Sequence, residues 1–578
     1  MDFRKSIAEL LSTRTGLAAD VLAASVEVPP DPALGDYAFP CFPLAKTLRK
    51  APPAIAAELA AGFSDGAAPF LARVQAVGGY LNFFLDRAVF AGAVVRDVLA
   101  AGERLGATDE GAGRTAIVEY SSPNIAKPFH VGHAFTTILG NSLARLYAHL
   151  GHPVVRMNHL GDYGTQFGKL IVAFEKWGDE AALEKDAIRE LLRIYVKFHD
   201  EAKDDPSLED AARARFVRLE ERRPEELALW QRFRDLSLAE FARVYDRMGI
   251  AFDDYSGESF YSDKIPAVVE MLQAKGLLEE SEGAQIVRLD DEKLPPCIVL
   301  KSDGATIYAS RDIAAVLWRK ERYGFWKNIY VVGNPQSLHF QQVFAVLRKA
   351  GYACADDCVH VGFGLVKFAD RKLSTRAGDV IFLDELLDES VAKTREIIDR
   401  NAELRGTDMS EAERADVAEK VGIGAVQYAF LRNGRDRDLV FSWEEMLDFD
   451  GETGPYAMYT YARARSVLRK AEAEGAAPAD ATDADLARLG GDEEAAVARL
   501  LYGFGAAVRR AADANEPYLL TRQVAGIARA FNKFYNNQSI LSAPDQETRR
   551  ARIALTGAVC VALKTGLGLL GIAAVERM

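Results

Sequence analysis

Cysteine is scarce: the chain has five in 578 residues, with no repeated spacing between them. That excludes a disulfide framework and matches the usage of a reducing cytosol, so the expected location is the cytoplasm. Long apolar runs are lacking as well, and none approaches the length of a membrane span. The first residues, MDFRKSIAELLSTRTG, have no apolar signal-peptide core and read as an amphipathic helix. No membrane partner is expected. Positive charge is in deficit, 71 Lys and Arg against 84 Asp and Glu, for a net charge of −13. This argues against indiscriminate nucleic-acid binding over the whole surface but leaves room for a local basic patch. It also sits easily with a small cationic substrate. No internal repeat is evident.

What is present is ordinary globular material, 49% hydrophobic and 27% charged. The length exceeds one hydrophobic core and predicts three or four domains. One stretch organises the rest. Thr115 to Tyr120 is a short β-branched run that reads as a buried strand, and a Pro-containing polar turn follows from Ser121 to Pro128. A helix is predicted from about His133 to Leu150, Gly151 stops it, and Pro153 to Met157 supplies the next strand. This is the first half of a parallel nucleotide-binding sheet.

At the strand-to-helix turn stand His130, Val131, Gly132 and His133. Free N–H groups and the positive end of the helix dipole suit phosphate oxygens there. Gly132 lets a flat ring approach, and two imidazole donors can stabilise charge developing on an attacked α-phosphate. A helix start that happens to carry two histidines is the plainer alternative.

His130 to His133 resembles the HIGH signature of class I aminoacyl-tRNA synthetases. E-Y-S-S-P-N-I-A-K-P-F before it, and N-H-L-G-D-Y-G-T-Q-F-G after it, closely resemble arginyl-tRNA synthetases. The resemblance implies a multidomain α/β protein: a doubly wound Rossmann-type catalytic domain with a helical insertion, a small α/β N-terminal domain and an all-α anticodon-binding bundle. The divisions expected are 1–108, 109–388 with the insertion at about 180–255, a helical connecting segment 389–450, and 451–578. GDYAFPCFPLAK and GGYLNFFL look like the family's tRNA-contacting N-terminal domain, with Asn82 and Phe84 as candidate RNA contacts; a globular cap with exposed aromatics reads equally well. The charge-laced helices after Glu180 read as a solvated insertion, with breaks at Pro206 and Pro224.

The implied chemistry is activation of L-arginine by ATP to arginyl-adenylate, then transfer to the terminal adenosine of cognate tRNA. Guanidinium calls for a carboxylate partner, and Glu119 and Asp312 stand where two could be supplied. By resemblance Ser122, Asn124, His133, Tyr308, Asp312 and Gln336 line the arginine site, with Glu119 as a further contact. Asp312 as a helix cap, Tyr308 as a core aromatic and Gln336 as a loop amide are the structural alternatives. R-K-L-S-T-R-A-G, Arg371 to Gly378, resembles a degenerate KMSKS loop. Lys372, Ser374 and Arg376 would meet ATP phosphates there; Thr375 replaces the second lysine, for which Lys127 is the expected stand-in.

Cys354, Cys358 and His360 lack a second ligand pair, so zinc is not expected; magnesium is expected to arrive with ATP. Tyr456, Tyr459 and Arg463 fall at helical spacing at the start of the anticodon-binding segment. As an isolated pattern such a stripe is core, and by resemblance it is a tRNA platform. The expected state is a monomer. A different HIGH-type nucleotidyltransferase would have no use for the flanking domains. A non-catalytic tRNA-binding relative would not need His130, Gly132, His133 and Lys372 intact.

Overall fold

The computed structural model describes residues 2–63, 68–302, 306–368, 381–405 and 409–578. The N-terminal helix α1 (Phe3–Thr15) is capped by the Asp2 carboxylate, which accepts from the Lys5 N–H. A three-stranded antiparallel sheet follows, β1 (Tyr37–Pro40), β2 (Leu71–Val77) and β3 (Tyr80–Leu85), with β3 in the centre and the helix Pro52–Ala61 packed against β2 and β3. Helix α2 (Arg87–Ala101) leads from there toward the catalytic sheet.

That sheet is built from β4 (Ala116–Glu119), then α3 (Val131–His149), then β5 (Val154–Met157). The helical insertion follows as α4 (Thr165–Trp177), α5 (Ala187–Glu201), α6 (Ser207–Glu220) and α7 (Pro224–Arg247). Pro206 and Pro224 stand at the starts of α6 and α7, where a missing N–H costs nothing. A small antiparallel sheet, β6 (Glu279–Ser281), β7 (Ala284–Val287) and β8 (Cys297–Leu300), precedes α8 (Tyr308–Tyr323). The main sheet resumes with β9 (Lys327–Val331), α9 (Ser337–Lys349) and β10 (Cys358–Val361). Its order is β10-β9-β4-β5, every pair parallel. From β4 the chain winds to β5 on one side and later to β9 on the other. The strand order therefore reverses between β4 and β9, and their carboxyl ends open the crevice where such sheets take ligands.

The chain after Glu389 is nearly all helix, as expected, with one short exception: β11 (Val366–Phe368) pairs in parallel with β12 (Leu439–Phe441), which lies between α11 (Glu411–Leu431) and α12 (Gly454–Ala473). Three residues pairing with a partner some seventy positions away leave no local signature. Helix α10 (Leu383–Arg405) precedes α11, and the bundle is completed by α13 (Asp492–Tyr502), α14 (Phe504–Asp513), α15 (Tyr518–Asn537) and α16 (Gln546–Leu569). Among the described residues α16 alone is long and apolar enough to cross a membrane, which the sequence reading had excluded for every segment. It is mostly buried within the bundle, where an all-round apolar helix belongs.

Helix α3 lies so close to β4 that a methyl at Gly140 would overlap Tyr120 Cβ. Tyr120 is fully buried and ends the strand, so it has no room to retreat. Gly140→Ala is expected to destabilise the chain by about 1–3 kcal/mol, the usual cost of overpacking, read as a lowered urea midpoint with unchanged slope.

Candidate functional site

The turn leaving β4 is under backbone strain. Ser121, Ser122 and Ala126 have φ of 70°, 46° and 59°, values that L-residues rarely adopt. Neighbours hold each of them. The Ser121 N–H donates to Thr136 Oγ1 (3.1 Å), which donates to the Val331 carbonyl of β9 (2.6 Å). The Ser122 N–H donates to Asn158 Oδ1 (3.2 Å), and the Ala126 N–H to Ser237 Oγ (3.0 Å). Ser122 Oγ is buried without a hydrogen-bond partner among the described residues. Asn124 is exposed and bridges to Gly161, where a Cβ would overlap its amide.

His130 caps α3. Its Nδ1 accepts the Gly132 N–H (3.0 Å), and His133 Nδ1 lies 3.3 Å from the His130 N–H, which donates to it. A backbone N–H can only donate, so both Nδ1 atoms are acceptors and each neutral ring carries its proton on Nε2. The ring centroids are 4.1 Å apart. Desolvation, then the charge of Lys127, lowers the His130 pKa. Desolvation, then the charges of His130 and Lys127, lower His133 to about 3. Lys127 itself is lowered by burial, with its Nζ 5.8 Å from the Tyr195 ring centroid on α5. The result is a pair of neutral donors at a positive helix end.

On the other side of the crevice the carboxylates differ from the simplest expectation. Glu119, opposite Tyr330 on β9, is already paired: Arg319 Nη2 of α8 lies 2.6 Å from its Oε2, and both side chains are buried. Asp312, two turns earlier on α8, is not a helix cap; it accepts a 2.5 Å hydrogen bond from His339 Nε2 in the first turn of α9. Burial alone would raise the Asp312 carboxyl, but the hydrogen bond and charge of His339, with His159 and Arg319, outweigh it and leave it below the usual carboxylate value. Tyr308 is exposed at the start of α8 with the Arg311 guanidinium 5.0 Å from its ring centroid, and is therefore no core aromatic. Gln336 is exposed in the short turn that leads into α9.

Sequence reasoning missed several groups here. Arg319 and His339 come from helices whose apolar spacing alone was read. Glu258 is raised to about 7 by burial and by Asp312 and Asp162, opposed by Arg311 and His159. Its only signal was a Ser-Gly-Glu-Ser stretch in an otherwise irregular segment. A cleft of about 820 Å³ lies between α7 and residues 255–264, with Asp162, Tyr163, Trp230 and Arg234 in its wall.

Lys372, Ser374 and Arg376 lie outside the described residues. Asn82 is 3% exposed in the central strand β3, between β1 and β2. Phe84 is half-buried with the Arg73 guanidinium 3.8 Å from its ring centroid. At the other end of the molecule Tyr456 and Tyr459 are both half-buried on α12. Arg463 sits 4.8 Å from the Tyr459 ring and 5.2 Å from that of Tyr535, a half-exposed tyrosine on α15 that the sequence reading passed over.

Comparisons with known proteins follow the same outline. The family model described as tRNA synthetases class I (R), catalytic domain, matches residues 94–443. The DALR anticodon binding domain matches 457–578, and the arginyl tRNA synthetase N terminal domain matches 1–85. An arginine–tRNA ligase of Clostridium botulinum is 53% identical over 580 residues, covering all of both chains. An arginyl-tRNA synthetase of Thermus thermophilus superposes over the full length of both chains with TM-score 0.78 at 26% identity. One of Plasmodium falciparum shares the fold, with TM-score 0.76 over 99% of each chain at 21% identity.

The downward shift of His133 has a direct readout. Folding favours its neutral form, so the imidazole is expected to stay unprotonated from about pH 5 to 8, where an ordinary histidine titrates. Nitrogen chemical shifts of labelled histidine should show an Nε2-protonated neutral ring throughout; a midpoint for His133 inside that window would contradict the enclosure described.

Proposed function

The chain belongs to the arginyl-tRNA synthetase family, with arginine, ATP and tRNA as its reactants, and from that premise we propose how its residues divide the work. ATP lies on the amino end of α3, its adenine against Gly132 and its phosphates toward Lys127 and the two imidazoles, with Lys372, Ser374 and Arg376 completing the phosphate contacts. Arginine lies in the crevice between β4 and β9. Ser122 and Asn124 take its polar groups beside His133, Asp312 takes the guanidinium, and Tyr308 and Gln336 close the site. Glu119 acts from the floor with its charge shared by Arg319.

The arginine carboxylate attacks the α-phosphorus of ATP, and pyrophosphate leaves. A ribose hydroxyl of the terminal adenosine, the 2′-hydroxyl in class I chemistry, then attacks the acyl carbon and AMP departs. No enzyme nucleophile forms a bond; positioning and charge stabilisation carry both steps. The observation that carries the reading is the enforced tautomer of His130 and His133, two neutral Nε2–H donors at a helix amino end. Magnesium travels with the nucleotide, held mainly by its phosphates. The tRNA anticodon loop rests on the Tyr459, Arg463 and Tyr535 stack beside Tyr456, and Phe84 meets the tRNA at the other end. The divisions at 108, 388 and 450 separate these tasks, in a monomer working in the cytoplasm.

Asp312→Asn tests the arginine site. Loss of a charge-assisted partner is expected to weaken arginine use by about 2–3 kcal/mol in kcat/KM with ATP affinity nearly intact. His130→Ala is expected to slow adenylation more than it weakens arginine binding, because its donor matters most as phosphoryl charge develops. Arginine kinetics unchanged in Asp312→Asn would move the pocket elsewhere.

Arginine-dependent ATP–pyrophosphate exchange is expected to be negligible without tRNA and clear once cognate tRNA is added, including tRNA with an oxidised terminal adenosine. The site is assembled from segments that the long insertion separates along the chain, and tRNA favours the closed arrangement through differential affinity. Robust exchange by the protein alone would refute that order of assembly.

A further inference from the structure

The insertion is not simply a solvated addition. One face of α7 runs along the two loops that form the site. Trp230 Nε1 donates to the Asp162 carbonyl (2.7 Å), and Arg234 reaches the Asp162 carboxylate (3.4 Å). Ser237 Oγ accepts the strained Ala126 N–H and passes its own hydrogen to the Phe233 carbonyl (2.7 Å). Phe241 packs its ring against Phe129. Tyr245 OH lies 2.6 Å from Ser121 Oγ and 3.1 Å from Asn158 Nδ2. Residues 230, 234, 237, 241 and 245 are spaced by three or four, a single helical stripe.

The direction of the hydroxyl chain can be deduced. Thr137 Oγ1 lies 2.6 Å from the His133 carbonyl and 2.9 Å from Ser121 Oγ. A carbonyl only accepts, so the single Thr137 hydrogen goes to His133, and the Ser121 hydroxyl donates to Thr137. The Ser121 oxygen then accepts from Tyr245, whose oxygen accepts from Asn158 Nδ2. Asn158 Oδ1 accepts the Ser122 N–H in turn. One tyrosine of the insertion thus completes a ring of hydrogen bonds around Ser121, Ser122 and the first turn of α3.

The carboxyl end of the same helix is tied to the other half of the protein. Arg247 Nη1 meets Asp388 Oδ1 of α10 (2.7 Å), and its Nε meets Glu419 Oε1 of α11 (2.8 Å). Gln427 of α11 donates to the Met248 carbonyl (3.1 Å). Helix α11 is in intimate contact with α12, the first helix of the bundle: a Cβ at Gly424 would overlap Met458, and one at Gly454 the Gly424 carbonyl.

We infer that Tyr245 is a positioning residue for the Ser121–Ser122 turn, and that α7, anchored through Arg247, couples this turn to the helices carrying the tRNA-binding bundle. The inference rests on the placement of arginine at that turn proposed above. Two observations support it independently of each other: the hydroxyl ring at one end of the stripe, and the paired guanidinium just beyond it. A shift of α11 under the bundle is transmitted along a rigid helix to the loops it splints, which gives tRNA a physical route to the amino-acid site.

The test uses the full chain with and without cognate tRNA. Tyr245→Phe keeps the ring and removes the hydroxyl; with saturating tRNA it is expected to raise the arginine KM and lower kcat, about tenfold together in kcat/KM, with the ATP KM within about twofold. Combining it with Ser121→Ala is expected to add little, since both break the same chain. Arg247→Gln is expected to reduce, several-fold, the ratio of arginine dissociation constants measured without and with tRNA, leaving tRNA affinity in the absence of arginine nearly unchanged. The Asp388→Asn, Glu419→Gln double variant removes the same anchor from the other side and should match it, which keeps the test open if Arg247→Gln folds poorly. Arginine kinetics unaltered in Tyr245→Phe, or an unaltered ratio in either anchor variant, overturns the proposal. Asp312→Asn in the same assay reports on the site itself, so a misplaced arginine pocket is distinguished from a failed coupling.

Discussion

A guanidinium and a carboxylate share a dry interior where β4 meets α8, and much of the site's form follows from that constraint. Arg319 is 0% exposed, and its pairing with Glu119 is supplemented by the Tyr261 hydroxyl at 3.3 Å. Such a pair adds little net stability over apolar packing, but leaving one member alone costs roughly 3–5 kcal/mol. The strand end and the helix are consequently obliged to keep their relation. That relation sets Asp312, two turns up the same helix, at the mouth of the crevice. The crevice therefore contains a cation of its own, which tempers the charge of Glu119, while Asp312 is held by His339 instead of a guanidinium.

The amino end of α3 follows the opposite logic. There the charges are kept off the rings: His130 and His133 are neutral and fixed in one tautomer, while Lys127 is half-enclosed behind them. Donors arranged before the reaction need no reorganisation when phosphoryl charge develops. The cost appears in the turn, where three non-glycine residues at positive φ each hold about 1–3 kcal/mol of strain. Hydroxyls of Thr136, Ser237 and Tyr245 keep that turn in place, and two of the three come from a single helix of the insertion.

Periodic patterns were legible in the sequence, and isolated pairings were not. The strand–helix–strand unit at 116–157, the proline-marked starts of α6 and α7, and the strands at Lys327 and Cys358 all follow from local spacing and breakers. The imidazole pair was legible because both partners lie within one helical turn. Arg319, His339 and Tyr245 were not, because each acquires its role from a partner far along the chain, and each sits on a helix whose apolar face satisfies the simpler explanation. The tyrosine stripe at Tyr456 and Tyr459 was ambiguous for the same reason, and Tyr535, which completes the stack with Arg463, lies on a helix that only folding brings near.

Helix α3 has a further tie. Ser142 Oγ donates to the Leu569 carbonyl, and Arg145 Nη1 to the Gly568 carbonyl, at the end of the buried apolar helix α16. Those partners are separated by 427 and 423 positions. On a ribosome moving at roughly 5–20 residues per second, the interval between making one member of each pair and making the other is on the order of 20–80 seconds. Throughout that time the Ser142 hydroxyl and Arg145 Nη1 on the back of α3 wait for their α16 carbonyls, while Arg145 Nη2 has the Gly249 carbonyl, and the bundle lacks its most apolar member. Seating of α3 against the bundle is in this way a late event in the life of a nascent chain, timed by translation itself.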